Sequence, residues 1–211
     1  MIDKILLFPY WLSLKIRHFL YDSGLKKVSS ADAPTICIGN VTVGGTGKTP
    51  HTEMLIRTLL NDEDWGKKNL AVLSRGYKRK TKGFQQVTAD GSALAYGDEP
   101  LQIKKKFPGI TVAVDKSRIE GCDFLVHPEK LQTSKKARKC IDKNLQAADL
   151  IILDDAYQHR ALKPTVSIVL VDYSRPVYND HLLPFGRLRD LPERIGAADI
   201  IIVSKCPNEL N

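Results

Sequence analysis

Ile36-Cys37-Ile38-Gly39-Asn40-Val41-Thr42-Val43-Gly44-Gly45-Thr46-Gly47-Lys48-Thr49 is the stretch whose reading decides the fold. A short apolar run empties into a glycine-rich turn that ends Gly-Lys-Thr, and residues 49–60 behind it carry a helical apolar spacing. Strand, glycine turn and helix, in that order, are what phosphate binding requires. Glycines let successive backbone N–H groups converge on oxygen anions, and the helix N-terminus adds partial positive charge. Lys48 is long enough to reach terminal phosphates, and the Thr49 hydroxyl suits magnesium. Gly44, Gly45, Thr46 and Gly47 form the expected cradle. The strict G-x-x-x-x-G-K-[ST] pattern would put glycine where Thr42 stands, so Gly44, Gly45 and Gly47 have to supply the turn.

Outward from this loop, short apolar runs recur at 70–73, 111–114, 150–153, 166–171 and 200–203, and 35–38 leads into the loop itself. Their near-continuous Val, Ile and Leu predict strands covered on both faces, hence a mostly parallel sheet flanked by helices, an α/β fold of P-loop NTPase type. Residues 84–88 alternate and follow a basic loop, which predicts an edge strand or hairpin. Helices are expected at 49–60, 99–106, 116–121 and 135–147. Residues 125–148 read as a basic insertion, with Lys130, Lys135, Lys136, Arg138, Lys139 and Lys143 against Glu129 and Asp142. A solvated helix face is the plain reading of such a run.

Residues 1–30 form a separate unit. Ile5, Leu6, Leu7, Phe8, Trp11, Leu12, Leu14, Ile16, Phe19 and Leu20 are mixed with Lys4, Lys15, Arg17 and His18. Pro9 suits the first turn of a helix that runs to about Ser23, with Gly24 as its stop. Leu12, Ile16, Phe19 and Leu20 share a face, and Lys15, Arg17 and His18 project elsewhere. Such a helix either lies in a membrane interface or packs its apolar side on the neighbouring domain, 31–211.

At 211 residues there is room for one ordinary domain with a small appendage. A hydrophobic share of 43% and a charged share of 27% exclude disorder and a polytopic membrane protein. The formal charge of +8 favours anionic partners. Cys37, Cys122, Cys140 and Cys206 show neither C-x-x-C pairing nor zinc-ligand spacing and are expected as reduced thiols. No apolar run is long enough to span a bilayer, and no small-residue cleavage site follows the N-terminal run, so neither a spanning helix nor a removed signal peptide is expected.

A magnesium-binding carboxylate should end another buried strand, and Leu150-Ile151-Ile152-Leu153-Asp154-Asp155 supplies a Walker B pair. Asp98 and Glu99 stand in Gly97-Asp98-Glu99-Pro100, where a helix cap and a catalytic carboxylate look alike. Asp98 is the candidate base that the metal does not claim. Cations in Ser74-Arg75-Gly76-Tyr77, Asp115-Lys116-Ser117-Arg118 and Phe185-Gly186-Arg187-Leu188-Arg189 are candidates to grip phosphate.

The ordered set of Gly39-Asn40-Val41 through Lys48-Thr49-Pro50, Ser74-Arg75-Gly76-Tyr77, Gly97-Asp98-Glu99-Pro100, Asp154-Asp155-Ala156-Tyr157-Gln158-His159-Arg160 and Leu183-Pro184-Phe185-Gly186-Arg187-Leu188-Arg189 resembles the tetraacyldisaccharide 4′-kinase family of lipid A biosynthesis. The resemblance implies a lipid kinase that moves the ATP γ-phosphate to the 4′-hydroxyl of a tetraacylated glucosamine disaccharide 1-phosphate. It implies ATP and Mg2+ as cofactors, and a peripheral place on the cytoplasmic face of a bacterial inner membrane with an anionic surface. Lys48 and Thr49 become phosphate and magnesium ligands, Asp154 and Asp155 metal-associated carboxylates, and Asp98 the base supported by Glu99. Arg75, Tyr77, Arg118, Gln158, His159 and Arg187 become candidate substrate contacts. Lys78 stands where the family often has glycine, Ala156-Tyr157 replaces Gly-Phe, and family members continue into a second α/β lobe. This chain is therefore expected to be the N-terminal lobe and weakly active alone. The alternative is an ATP-binding regulatory or switch module without its own acceptor. Ser204-Lys205-Cys206-Pro207 lacks the aspartate of a guanine-binding element, and no nucleic-acid module is present, so no nucleic-acid partner is expected.

Overall fold

A computed structural model describes residues 2–137 and 140–209, and of residues 2–6 the backbone alone. In chain order the elements are α1 (Ile2–Asp22), β1 (Thr35–Gly39), α2 (Lys48–Asn61), β2 (Leu70–Ser74), β3 (Gln85–Gln86), α3 (Ala93–Tyr96), α4 (Asp98–Lys106), β4 (Thr111–Val114), α5 (Arg118–Val126), α6 (Lys130–Thr133), β5 (Leu150–Asp154), β6 (Val166–Asp172) and β7 (Ile200–Ser204). The described strands make one sheet in the order β3-β4-β2-β5-β1-β6-β7. All pairings are parallel except β3 with β4, so the alternating 84–88 segment is indeed an antiparallel edge.

The apolar runs become strands because each serves two cores. Cys37, Ala71, Leu73, Ala113, Ile151 and Leu153 point to one face and meet Leu7 and Leu14 of α1 and Phe124 and Leu125 of α5. Their neighbours Ile38, Leu70, Val72, Val112, Leu150 and Ile152 point to the other and meet Ile56 and Leu59 of α2 and Leu101 and Ile103 of α4. With both faces covered, polar alternation has no place in β1, β2, β4 or β5. β1 lies between β5 and β6, so the loop after it opens in the middle of the C-terminal edge, where open α/β sheets bind ligands.

Three expectations change. Pro9 lies inside α1, not in its first turn, and leaves one backbone position there without a donor. Helix α5 starts at Arg118, capped by the Ser117 hydroxyl, and runs on to Val126. Among the described residues of 135–147 the expected helix is absent. After a single 3₁₀ turn at Lys135–Ala137, local acceptors take the backbone: Asp142 accepts from the Asn144 N–H at 2.9 Å, and the Gln85 side-chain oxygen accepts from the Ile141 N–H at 3.2 Å. Asx turns of this kind compete with helix, and Cys140 and Ala148 are buried by the extended path. Two of the basic residues pair with acids of α5, Lys130 with Asp123 at 2.5 Å and Lys136 with Glu120 at 2.7 Å. Arg138 and Lys139 lie outside the described residues.

α1 packs one side on the lobe and leaves the other exposed. Leu7, Leu14 and His18 are buried against the lobe, whereas Phe8, Trp11, Leu12, Ile16 and Phe19 are exposed. His18 therefore points inward, unlike the outward Lys15. Gly24 stops the helix in the left-handed conformation, φ 75°. No helix among the described residues is long and apolar enough to cross a membrane.

Candidate active site at the glycine loop

The loop from Asn40 to Gly47 leaves β1 and enters α2 through Gly44 and Gly47, at φ 98° and 86°. A side chain would be strained at either position. The Thr46 N–H donates to the Gly44 carbonyl at 2.9 Å, and the Ser204 hydroxyl at the end of β7 donates to the Thr46 carbonyl at 2.9 Å. Val43, Gly44 and Gly45 remain exposed, so the cradle is open to a ligand.

Asn40, fully buried, organises this loop from beneath. Its amide nitrogen donates to the Thr46 hydroxyl at 2.8 Å, and its Oδ1 accepts from Lys48 at 3.2 Å and from the Arg189 guanidinium. Arg189 also grips Asp155 with both terminal nitrogens, one at 2.9 Å, and Lys48 lies 3.7 Å from the same carboxylate. Burial pushes the Asp155 carboxyl up, but the bidentate Arg189 contact and the nearby Lys48 outweigh it and hold it below the usual range. Asp155 adopts φ 50°, a left-handed conformation that Asp tolerates and that turns its carboxylate off the strand end toward these cations.

Asp154 is its opposite. It is 3% exposed, pairs in register with Ile38, and accepts from the Ser74 hydroxyl at 3.3 Å. Burial first, then the charges of Glu99 and Asp155, push its carboxyl up to about 6. A buried carboxyl held up by two neighbouring carboxylates is one that a divalent cation would relieve. No group of three or more His, Cys, Asp or Glu side chains among the described residues is placed to hold a metal ion by itself. Magnesium needs no such cage, since one or two carboxylates with a hydroxyl and substrate phosphates are its usual set. Thr49, Asp154 and Asp155 fit that description.

The second carboxylate motif is brought alongside by backbone contact. A side chain on Gly97, at φ 94°, would come within 3.1 Å of the Tyr77 carbonyl and 3.2 Å of Gly76 Cα. Glycine there lets the Arg75–Tyr77 loop lie directly against the start of α4. Glu99 is the member of the pair whose charge is felt at Asp154. Asp98 is exposed and opens on a shallow groove with Leu101, Gln102 and Lys105. Arg75, Tyr77 and Arg187 are exposed, and Arg187 stands beside Thr42–Thr46.

The other candidates have structural partners. Arg118 is 3% exposed and donates to the carbonyls of Asp115 and Asp154, at 2.6 and 3.3 Å, which ties the ends of β4 and β5 together. The Gln158 amide donates to the Asn40 carbonyl at 2.6 Å. His159 is half-buried, and burial followed by the charges of Arg118, Arg17 and Arg75 presses its pKa down, which favours the neutral ring. It lines a cavity of about 380 Å³ with Cys37, Leu153, Tyr157 and Arg160, on the α1 side of the sheet and not bordered by the glycine loop. The four thiols are free, and burial pushes Cys37 and Cys122 up to about 12, so neither is a nucleophile. Asn40 and Arg189 organise the loop although no local sequence signal marks them. Arg189 becomes visible only through pairing of its segment with the loop, its N–H donating to Val41 and the Val43 N–H to Arg187, at 2.9 and 2.7 Å.

Known proteins resemble this chain over most of its length. The family model described as Tetraacyldisaccharide-1-P 4′-kinase matches residues 4–211. A tetraacyldisaccharide 4′-kinase of Phocaeicola vulgatus is 45% identical over 201 residues, covering 95% of this chain and 50% of the relative. One from Bacteroides fragilis is 46% identical over 95% of this chain and 48% of its own length. One from Flavobacterium johnsoniae is 41% identical over 98% of this chain and 56% of its own. The chain thus spans about half the length of the curated relatives it matches. Among solved structures, the "apo" form of LpxK from Aquifex aeolicus in complex with ATP superposes with a TM-score of 0.78 at 31% identity, over 97% of this chain and 59% of that one.

Proposed function

Because the chain belongs to the tetraacyldisaccharide-1-P 4′-kinase family, we propose that it serves transfer of the ATP γ-phosphate to the 4′-hydroxyl of a tetraacylated glucosamine disaccharide 1-phosphate, the lipid A precursor. The observation that carries this reading is the meeting of Lys48 with Asp155 at 3.7 Å, beside the buried Asp154, at the ends of the neighbouring strands β1 and β5. That apposition of glycine-loop lysine and strand-end carboxylates is the arrangement that phosphoryl transfer uses.

In this reading Gly44 to Gly47 present backbone N–H groups to the phosphates and Lys48 takes the β- and γ-phosphate charge. Thr49, Asp154 and Asp155 would hold magnesium, which would supply positive charge beside the phosphates. Asp154 is the better ligand of the two carboxylates, because Asp155 already answers to Arg189 and Lys48. Asp98, outside that set, accepts the proton of the 4′-hydroxyl while its oxygen bonds to the γ-phosphorus. The bond from that phosphorus to the β-bridging oxygen breaks and ADP leaves. Glu99 keeps the start of α4 negative beside Asp154, and the exposed Arg75, Tyr77 and Arg187 would meet substrate.

A lipid substrate has to be met at a bilayer. The outward face of α1, with Phe8 54% and Phe19 63% exposed, supports peripheral attachment to the cytoplasmic face of a bacterial inner membrane, helped by the +8 charge at an anionic surface. Calorimetry of the 211-residue chain with Mg-ATP, followed by transfer of labelled γ-phosphate to the disaccharide in mixed micelles, tests the proposal. Label at the 4′ position that disappears in Lys48→Ala is the expected result. ATP binding indifferent to Lys48, or label at another position, would overturn it.

A further inference from the structure

Helix α1 reaches the candidate site through three side chains. The Tyr10 hydroxyl donates to the Arg189 carbonyl at 3.1 Å. The Arg17 guanidinium donates to the Gln158 carbonyl, and the Gln158 amide in turn donates to the Asn40 carbonyl. His18 Nε2 meets Asp190 Oδ1 at 2.6 Å, with His18 6% and Asp190 1% exposed. Each contact ends on a residue that is, or directly adjoins, a member of the Asn40–Arg189–Asp155 network.

The His18 contact is the most constrained. Arg160 donates to His18 Nδ1 at 3.1 Å and to its carbonyl at 3.2 Å, and is itself fixed by Asp22 at 2.7 Å. With Nδ1 accepting, the ring proton sits on Nε2 and is donated to Asp190. Asp190 Oδ1 also accepts from the Leu191 N–H at 2.9 Å, so this carboxylate is locked. Asp190 turns to α1, and the residue before it, Arg189, turns its guanidinium to the glycine loop, where it holds Asp155 and Asn40.

We propose that His18 is a positioning residue of the nucleotide site: by holding Asp190 it fixes the peptide from which Arg189 braces Asp155 and Asn40. Its helix is then more than an attachment, because the face opposite the exposed aromatic residues is part of the frame around the phosphate loop. The inference rests on the nucleotide reading above for its consequence, but its geometric claim concerns Arg189 alone.

The test uses the 211-residue chain and two substitutions that separate the ring nitrogens. His18→Asn keeps a polar group near the Nδ1 position and removes the one at Nε2, whereas His18→Gln carries an amide out to the Nε2 position. The side-chain 15N–1H signals of Arg189, identified by their loss in Arg189→Lys, report the brace without nucleotide. Native protein should show a restrained guanidinium with slow rotation. His18→Asn should give the averaged signals of a free one, and His18→Gln should restore restraint. In calorimetry, His18→Asn should bind Mg-ATP about tenfold more weakly while ATP in EDTA changes by less than about twofold, a split that general loss of folded protein does not produce. Tyr10→Phe, which deletes only the hydroxyl donated to the Arg189 carbonyl, should loosen the same signals to a smaller degree. Unchanged Arg189 signals in His18→Asn, or in Tyr10→Phe should His18→Asn not fold, would overturn the proposal, as would a His18→Gln no better than His18→Asn. If native protein binds no Mg-ATP, the proposed function fails while the Arg189 signals still decide this inference.

Discussion

At neutral pH the Asp154 carboxyl is ionised inside the protein, against its own environment. The folded chain holds its proton up to about pH 6, and the ordinary carboxyl value is 3.8. Between those values the folded state binds more protons than the unfolded one, so this group makes folding less favourable as pH rises through the window. Its cost is complete above about 6, and two units correspond to roughly 3 kcal/mol at most. Asp154→Asn removes the ionisation, so without magnesium the variant should melt above native protein at pH 7.5, and the gap should close as pH falls toward 4. A melting point no higher than native at pH 7.5 would refute this. The same site holds a second prediction. Lys48 is only part of what holds Asn40 and Asp155, since Arg189 contacts both. Lys48→Ala should therefore leave the melting temperature within a few degrees of native and lower ATP affinity at least tenfold by calorimetry, because its charge serves the ligand and not the packing.

Among the elements, α1 carries a prediction that its sequence alone would state wrongly. Removing residues 1–24 looks like a clean way to detach an interfacial helix, yet Leu7 and Leu14 belong to the core over one sheet face, and His18 is buried against Asp190. That deletion should destabilise the lobe. Trp11→Ser with Phe19→Ser, both on the outward face, should instead reduce flotation with anionic vesicles several-fold and leave the melting temperature unchanged. Equal flotation of variant and native protein would show that the exposed face does not attach the chain. Strands were the most legible elements, since residues 35–38, 70–73, 111–114 and 150–153 are apolar for a reason that needs no knowledge of their partners: both faces are covered. The helix expected at 135–147 failed because its spacing resembles a helix while its backbone is taken by Asp142 and by Gln85, a residue far off in the chain. Pro9 misled in the same way. Its preference for a first turn is real, but the apolar face of α1 continues ahead of it, and tertiary packing outweighs one lost hydrogen bond.

Across the whole molecule, the glycine loop, Lys48 and the Asp154–Asp155 pair were readable because each sits at a strand end, a place that local sequence marks. Arg189 was not, since what selects it over Arg187 is contact with Asn40, 149 residues away in the chain. The assembled site is also more open than its motifs suggest, and this sets the last expectation. Lys48 and Asp155 side chains are 15% and 30% exposed, and Arg75, Tyr77, Asp98 and Arg187 all face solvent. Phosphates bound on this loop meet cations and N–H groups from the sheet edge, which suffices for affinity. Transfer needs the acceptor hydroxyl held in line with the γ-phosphorus and water kept away, and positioning of that kind is worth many orders of magnitude in rate. Exposed Asp98 and Tyr77 side chains leave an acceptor free to rotate and the γ-phosphate hydrated. The 211-residue polypeptide should therefore bind Mg-ATP but transfer its phosphate to the disaccharide well below about 1 per second, the lower end for kinases. Adding magnesium or presenting the acceptor in micelles should not change this, because neither encloses the site. A single-turnover experiment with labelled ATP decides the matter: transfer at about 1 per second or faster would mean that the open edge alone aligns acceptor and phosphate.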